Sequence, residues 1–112
     1  MINNLTRKTI ISSQVEIAQN SCERMKGLLG RNGLPSGASL VITRCQSIHM
    51  FFMKFPIDVI FCDHQDKVVG LCKNIKPFEL SPIFFKASYA IELSTGSITA
   101  SQTQLGDQVQ LD

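Results

Sequence analysis

The six residues from 57 to 62 read IDVIFC, and no other run constrains the fold as much. A strand turns successive side chains to opposite faces, so a run that is apolar on both parities can leave neither face wet. IDVIFC is therefore expected inside a sheet system with both faces covered. Asp58 is its one polar residue. A carboxylate in that setting must be paired, hydrogen-bonded or protonated, because an isolated buried charge costs several kcal/mol.

Other segments carry the same signature in weaker form. LVITR, SIHMFFM, KVVGLC, YAIEL and DQVQL are short, rich in β-branched and aromatic residues, and separated by turn-forming clusters. DHQD at 63–66 joins two apolar strands as a hairpin. Near the start, Ile11, Val15 and Ile17 share one parity, which predicts a half-buried strand over 11–17. The period then changes. In NSCERMKGLLGR, Met25, Leu28 and Leu29 follow helical spacing, with Ser21 as N-cap, Glu23 in the first turn and Gly30 as left-handed terminus. The expected fold is mainly β, a β-sandwich or small barrel-like arrangement of antiparallel sheets, with one short α-helix near residues 21–30.

A chain of 112 residues with 44% apolar and 18% charged residues suffices for one core and one domain, with the polar residues 1–8 apt to fray. The net charge of +2 is spread without any run of one sign. Nucleic-acid binding is thus not expected, since it needs cations gathered on one face. Nor is a membrane span, which needs about 18 consecutive apolar residues. A secretory leader is equally absent from this stretch, so a cytoplasmic location is the expectation, a trimmed export signal being left open. Cys22, Cys45, Cys62 and Cys72 form no close pair of the zinc-binding kind. They are expected as reduced, mostly buried thiols, with no cofactor and no metal.

The tract SIHMFFMKFPIDVIFCDHQDKVVGL, preceded by ERMKGLLGR and followed by YAIELSTG and LGDQVQL, resembles the domain of unknown function 192 family of bacteria and archaea. The likeness runs in order from about Glu23 to the C-terminus. The family's arginine before a Gly-Leu-(Met or Leu) turn matches Arg24, Gly27, Leu28 and Leu29. Its aromatic-Met-basic-Phe-Pro-Ile-Asp tract matches Phe52 to Asp58, and its Glu-Leu-x-x-Gly element matches Glu92, Leu93 and Gly96. The closing Gly-Asp matches Gly106 and Asp107. The resemblance implies a compact, mainly β fold and no particular activity. Met50, Cys62 and Ser94 stand where relatives often carry Thr, Leu and Pro, so a metal site resting on the first two would be peculiar to this chain.

Five residues are candidates for a site: Arg24, His49, Met53, Asp58 and Glu92. Were SIHMFFM a strand, His49 and Met53 would share a face, and imidazole and thioether suit soft metals; methionines among phenylalanines are also ordinary core filler. Asp58 either accepts backbone N–H groups or an arginine to fix strand register, or joins His49 as an acid and base couple. Glu92 lies on the parity opposite Tyr89, Ile91 and Leu93, which suggests the solvent face, or, with Arg24 close by, a polar pocket. At GDQVQL, Gly106 can take positive φ and Asp107 can accept N–H groups across the turn. No nucleophile elbow, phosphate loop or zinc-protease helix is present, and Cys with His49 or His64 is the only conceivable nucleophile pair. Three functions stay open: binding of a small molecule or protein partner in a polar groove near Arg24, Asp58 and Glu92; an enzyme of unknown reaction using Asp58, His49, Arg24 and Glu92; and a soft-metal carrier. The first is preferred because no catalytic set is visible.

Overall fold

The computed structural model describes the backbone of all 112 residues and the side chains of all except Ser21, Cys22 and Met25. The expectations that placed Cys22 in the core and Met25 on the apolar helix face therefore lie outside the described residues. Ten elements follow in order: β1 (Ile2–Asn4), β2 (Thr9–Ser12), β3 (Gln14–Ala18), α1 (Ser21–Lys26), β4 (Ala38–Thr43), β5 (Ile57–Cys62), β6 (Val68–Ile75), β7 (Tyr89–Leu93), α2 (Ser97–Ser101) and β8 (Val109–Leu111). A five-stranded sheet has the order β3-β4-β7-β5-β6, and a three-stranded sheet the order β2-β1-β8.

β5 behaves as its sequence demands. All six of its residues are buried, and it runs antiparallel between β6 and β7. Its alternation divides the apolar interior in two. On one face Ile57, Val59 and Phe61 join Leu40, Ile42 and Ala90 against Leu28, Met50 and Met53. On the other, Ile60 and Cys62 join Val41, Ile91 and Leu93 against Ile2, Ile11, Ile98 and Val109. The small sheet thus covers the second face, while α1 and the long loops cover the first.

Several expectations need correction. The strand read over 11–17 is two strands, because the chain changes sheets at Ser13, where the Ser13 and Gln14 N–H groups both donate to the Gly37 carbonyl. β3 and β4 pair in parallel, not antiparallel, since α1 lies between them as the crossover that a parallel pair needs. α1 stops at Lys26, with Gly27 and Gly30 both at positive φ. Its cap is Asn20, not Ser21: the Asn20 side chain accepts from the Glu23 N–H at 2.8 Å while Glu23 reaches back to the Asn20 N–H, a reciprocal capping box. A second short helix, α2, was not foreseen. The opening residues, read as apt to fray, hold the middle of the small sheet, with Ile2 and Asn4 buried. Asn4 donates to Thr103 and Asp107.

The largest correction concerns residues 48–53, which form a turn and not a strand. Only His49 makes a ladder contact, a single bridge to Leu80. The Met50 carbonyl accepts from the N–H groups of both Met53 and Phe78, and Phe52 has φ +64°. Met50 and Met53 consequently point inward while His49, Phe51 and Phe52 are exposed.

Asp58 settles into the structural role. Between Ile57 and Val59 the facing strand carries two residues, Lys73 and Asn74, opposite one, so β6 bulges there, with Asn74 at φ +51°. The Asp58 carboxylate accepts the N–H of Asn74 at 2.8 Å with Oδ1 and that of Ile98 at 3.0 Å with Oδ2. Ile98 is the second residue of α2, whose N-cap, Gly96, has no side chain to offer. One buried carboxylate therefore satisfies two orphan donors, one from a bulge and one from a helix end. Replacing Asp58 by Ala is expected to cost about 2–4 kcal/mol by leaving both unmet, and Asp58→Asn somewhat less. Equilibrium denaturation checks this, and unchanged stability in both variants would contradict it.

Candidate functional site

Asp58 and Glu92 sit in adjacent antiparallel strands, yet register separates them. Asp58 faces Leu93 and Val59 faces Glu92 across the β5–β7 pair. Side chains of facing residues share a side of the sheet, so Glu92 lies on the side of Val59 and Leu40, and Asp58 on the side of Ile60 and Leu93. A groove that gathers both is ruled out by this geometry, and with it the pairing of Asp58 with His49 as acid and base.

The other four candidates meet. Arg24, His49, Met53 and Glu92 line one cleft of about 120 Å³, with Lys26 and Ser47 also in its wall and Gly27, Leu28, Ile42 and Cys45 closing it. The cleft adjoins an open groove of about 790 Å³ that shares Arg24, Ile42, Cys45 and Ser47 and adds Arg44 and Gln46. Each wall has a local cause. Arg24 is set by α1, where its Nη1 donates to the Gln19 carbonyl at 2.6 Å. Gly27 ends the helix directly above Glu92, so that a Cβ there would stand 3.8 Å from Oε1. His49 and Met53 come from the turn between β4 and β5.

Glu92 is not on a solvent face. It is 6% exposed, because β7 is covered on both sides by β4, β5 and the layers beyond them. Among the described residues, its Oε1 has no hydrogen-bond partner. Burial pushes its carboxyl up to about 7, and the positive charge of Arg31 offsets this only in part; Arg31 itself is paired with Glu16 at 2.7 Å. A buried carboxyl with one oxygen unpaired and its proton affinity raised by burial marks a candidate site.

The thiols are quiet by comparison. Cys45, Cys62 and Cys72 are free, and only Cys62 is fully buried. Burial, with Glu92 nearby, pushes Cys45 up to about 11, and burial pushes Cys62 up to about 12. Both are protonated at neutral pH, so neither is an activated nucleophile. Among the described residues no three His, Cys, Asp or Glu side chains gather to hold an ion, and the strand on which His49 and Met53 were to share a face is a turn. Asp107 serves the small sheet instead: burial raises its carboxyl, but hydrogen bonds from Asn4, Arg7 and the Gln104 N–H outweigh burial and hold it low.

Sequence reasoning named Arg24, His49, Met53 and Glu92 as site candidates and Gly27 only as a family match, and it did not single out Lys26, which also lines the cleft. Gly27 could have been found from its position just after the helix, where a glycine ends the turn.

Comparison with known proteins agrees with this fold. A family profile described as Uncharacterized ACR, COG1430 (DUF192) matches residues 2–111. A UPF0127 protein of Thermococcus sibiricus is 33% identical over 97% of this chain and 73% of its own length. Another from Pyrococcus abyssi is 33% identical over 98% of this chain and 96% of its own. Among solved structures, a protein of unknown function from Novosphingobium aromaticivorans superposes with a TM-score of 0.79 at 23% identity, covering 87% of this chain and 74% of that one. A protein from Sinorhizobium meliloti described as a putative transcription regulator gives 0.74 at 20% identity, covering 86% and 79%; these two likenesses speak for the fold alone. With a profile spanning nearly every residue and relatives a third identical across almost the whole chain, this protein belongs to the DUF192 family.

Proposed function

We propose that the protein binds a small polar molecule in the cleft between α1, the 48–53 turn and β7. The observation that carries this is Glu92 Oε1, an acceptor buried without a partner among the described residues. Leaving such a group unmet costs about 1–3 kcal/mol, a penalty that a ligand's donor would remove. An ammonium or amide N–H is the complementary group. Arg24 and Arg44, on the groove side, suit an anionic group at the ligand's other end. The fitting chemical class is a small zwitterion whose positive head enters the cleft.

A second reading has one observation in its favour. A carboxyl near pH 7 is poised for general acid or base work, so Glu92 could move a proton on the bound molecule. Among the described residues no activated nucleophile stands beside it, and simple binding asks less of the site.

Thermal shift and calorimetry with the ω-amino acid series from glycine to 6-aminohexanoate test the proposal. One chain length is expected to raise Tm, with the gain lost in Glu92→Gln and in Arg24→Ala. No shift with any member, together with the bare chain mass in native mass spectrometry, would refute it.

The free protein should also carry the signature of the buried acid. Its folded value of about 7 lies above the ordinary 4.5, so the folded state holds a proton that the unfolded chain releases between those limits. Stability from this group is complete below pH 4.5 and lost as pH rises to 7. Glu92→Gln removes the loss. The variant is expected to be more stable than the parent above pH 7 by on the order of 3 kcal/mol, with the gap closing towards pH 4.5. Denaturant titrations across that range check it.

A further inference from the structure

Beside the cleft, two loops carry an exposed apolar patch that the binding proposal does not use. Residues 46–53 and 78–84 are laced together: Met50 N–H to Glu79 carbonyl, Phe78 N–H to Met50 carbonyl, Ser81 N–H to Ile48 carbonyl and Phe84 N–H to Gln46 carbonyl, all at 2.8–3.0 Å. The frame is ordered, yet what it displays is oily. Phe52 is 78% exposed, Phe78 63% and Leu80 65%, with Phe51 and Phe52 within 6.4 and 6.2 Å of the Phe78 ring. Ile83 and Phe85 are exposed in the same loops.

Backbone geometry makes the display more telling. Met50 to Met53 and Lys76 to Glu79 are four-residue turns, each closed by a hydrogen bond from the last N–H to the first carbonyl. In both, the third residue has positive φ, +64° at Phe52 and +70° at Phe78. That position ordinarily goes to glycine or asparagine, and a bulky residue there is a conformational outlier. The chain thus holds two phenylalanines at strained positions and turns both towards water. The ring contacts with each other and with Phe51 leave most of both side chains in water, and strain of this kind collects at functional surfaces.

The surrounding charge selects what meets the patch. Arg44, Lys54, Lys76 and Lys86 are exposed on these loops, and Glu79, the one acid among them, accepts the Lys76 N–H at 2.6 Å. A second copy of the chain would bring like charge to like. Single-stranded nucleic acid stacks on aromatic faces, and the aliphatic Leu80 and Ile83 offer it nothing. Apolar tips on loops that also carry exposed lysines match an anionic lipid surface, into whose interface phenylalanine and leucine side chains dip while the cations meet the headgroups. No helix among the described residues is long and apolar enough to cross a membrane, so this contact is peripheral.

We propose that the paired loops around Phe52 and Phe78 dock the protein on an anionic phospholipid surface. Co-sedimentation with vesicles of equimolar phosphatidylglycerol and phosphatidylcholine tests it, with pure phosphatidylcholine as control. The protein is expected to pellet with the anionic vesicles and to stay in solution with the neutral ones. Phe52→Gly with Phe78→Gly should weaken binding at least about tenfold while leaving Tm unchanged or higher, since glycine relieves both turns. Lys54→Ala and Lys76→Ala should each weaken it about fivefold, and added salt should weaken it further. Absence of pelleting, binding that ignores the two phenylalanines, tighter binding to an oligothymidylate than to vesicles, or dimerisation abolished by the same glycine variants would each overturn the proposal. None of these outcomes depends on Glu92, so the cleft and the patch stand or fall separately.

Discussion

Burial of β5 and β7 on both faces is the constraint from which the rest follows. Each strand is sandwiched by neighbours within its sheet and by layers above and below, so any polar atom placed on it has left water and must find a partner inside the protein. Two carboxyls are placed there, one on each strand, and they meet opposite fates. Asp58 is answered by two backbone donors, the N–H groups of Asn74 and Ile98. Glu92 has no answer for Oε1 among the described residues.

The difference comes from what covers each face. The Asp58 side is closed by α2 and by the small sheet, and the helix brings an N-terminal N–H to the carboxylate. The Glu92 side is closed by α1 and loops, whose Arg24, Lys26 and His49 border a cleft without hydrogen-bonding Oε1. Gly27 keeps that cleft open by lacking a side chain, and Arg24 borders it. The same loops go on to carry the exposed phenylalanines, so the less tightly sealed face of the sheet holds both functional proposals. Among the described residues, Cys45 and Cys62 do not enter: burial holds their protons too firmly for nucleophilic work.

The sequence made the sheet interior legible because burial on two parities leaves an unmistakable pattern in IDVIFC, and turn chemistry marked the hairpin at 63–66. It misled where local composition and tertiary pairing disagree. SIHMFFM has the β-branched and aromatic content of a strand, yet the Met50 carbonyl accepts the N–H of Met53 within the segment and that of Phe78 outside it, and the segment folds into a turn. A glycine in place of Phe52 would have announced that turn; phenylalanine concealed it. The side of the sheet on which Asp58 and Glu92 lie was equally hidden, since it depends on register between residues 34 positions apart in the chain, and parity within one strand says nothing of the next. Of the five residues singled out, the four that meet do so because family likeness and polarity in an apolar setting pointed to them, while Asp58 shared the same polarity for a structural reason.

The central claim is that Glu92 Oε1 is buried without a hydrogen-bond partner among the described residues. Its most direct test is the titration of the Glu92 side-chain carboxyl by ¹³C NMR in the unliganded protein, assigned by its disappearance in Glu92→Gln. A midpoint near 7 is expected. An ordinary midpoint near 4.5 would mean that the group is solvated or already paired, and would contradict the account of the cleft.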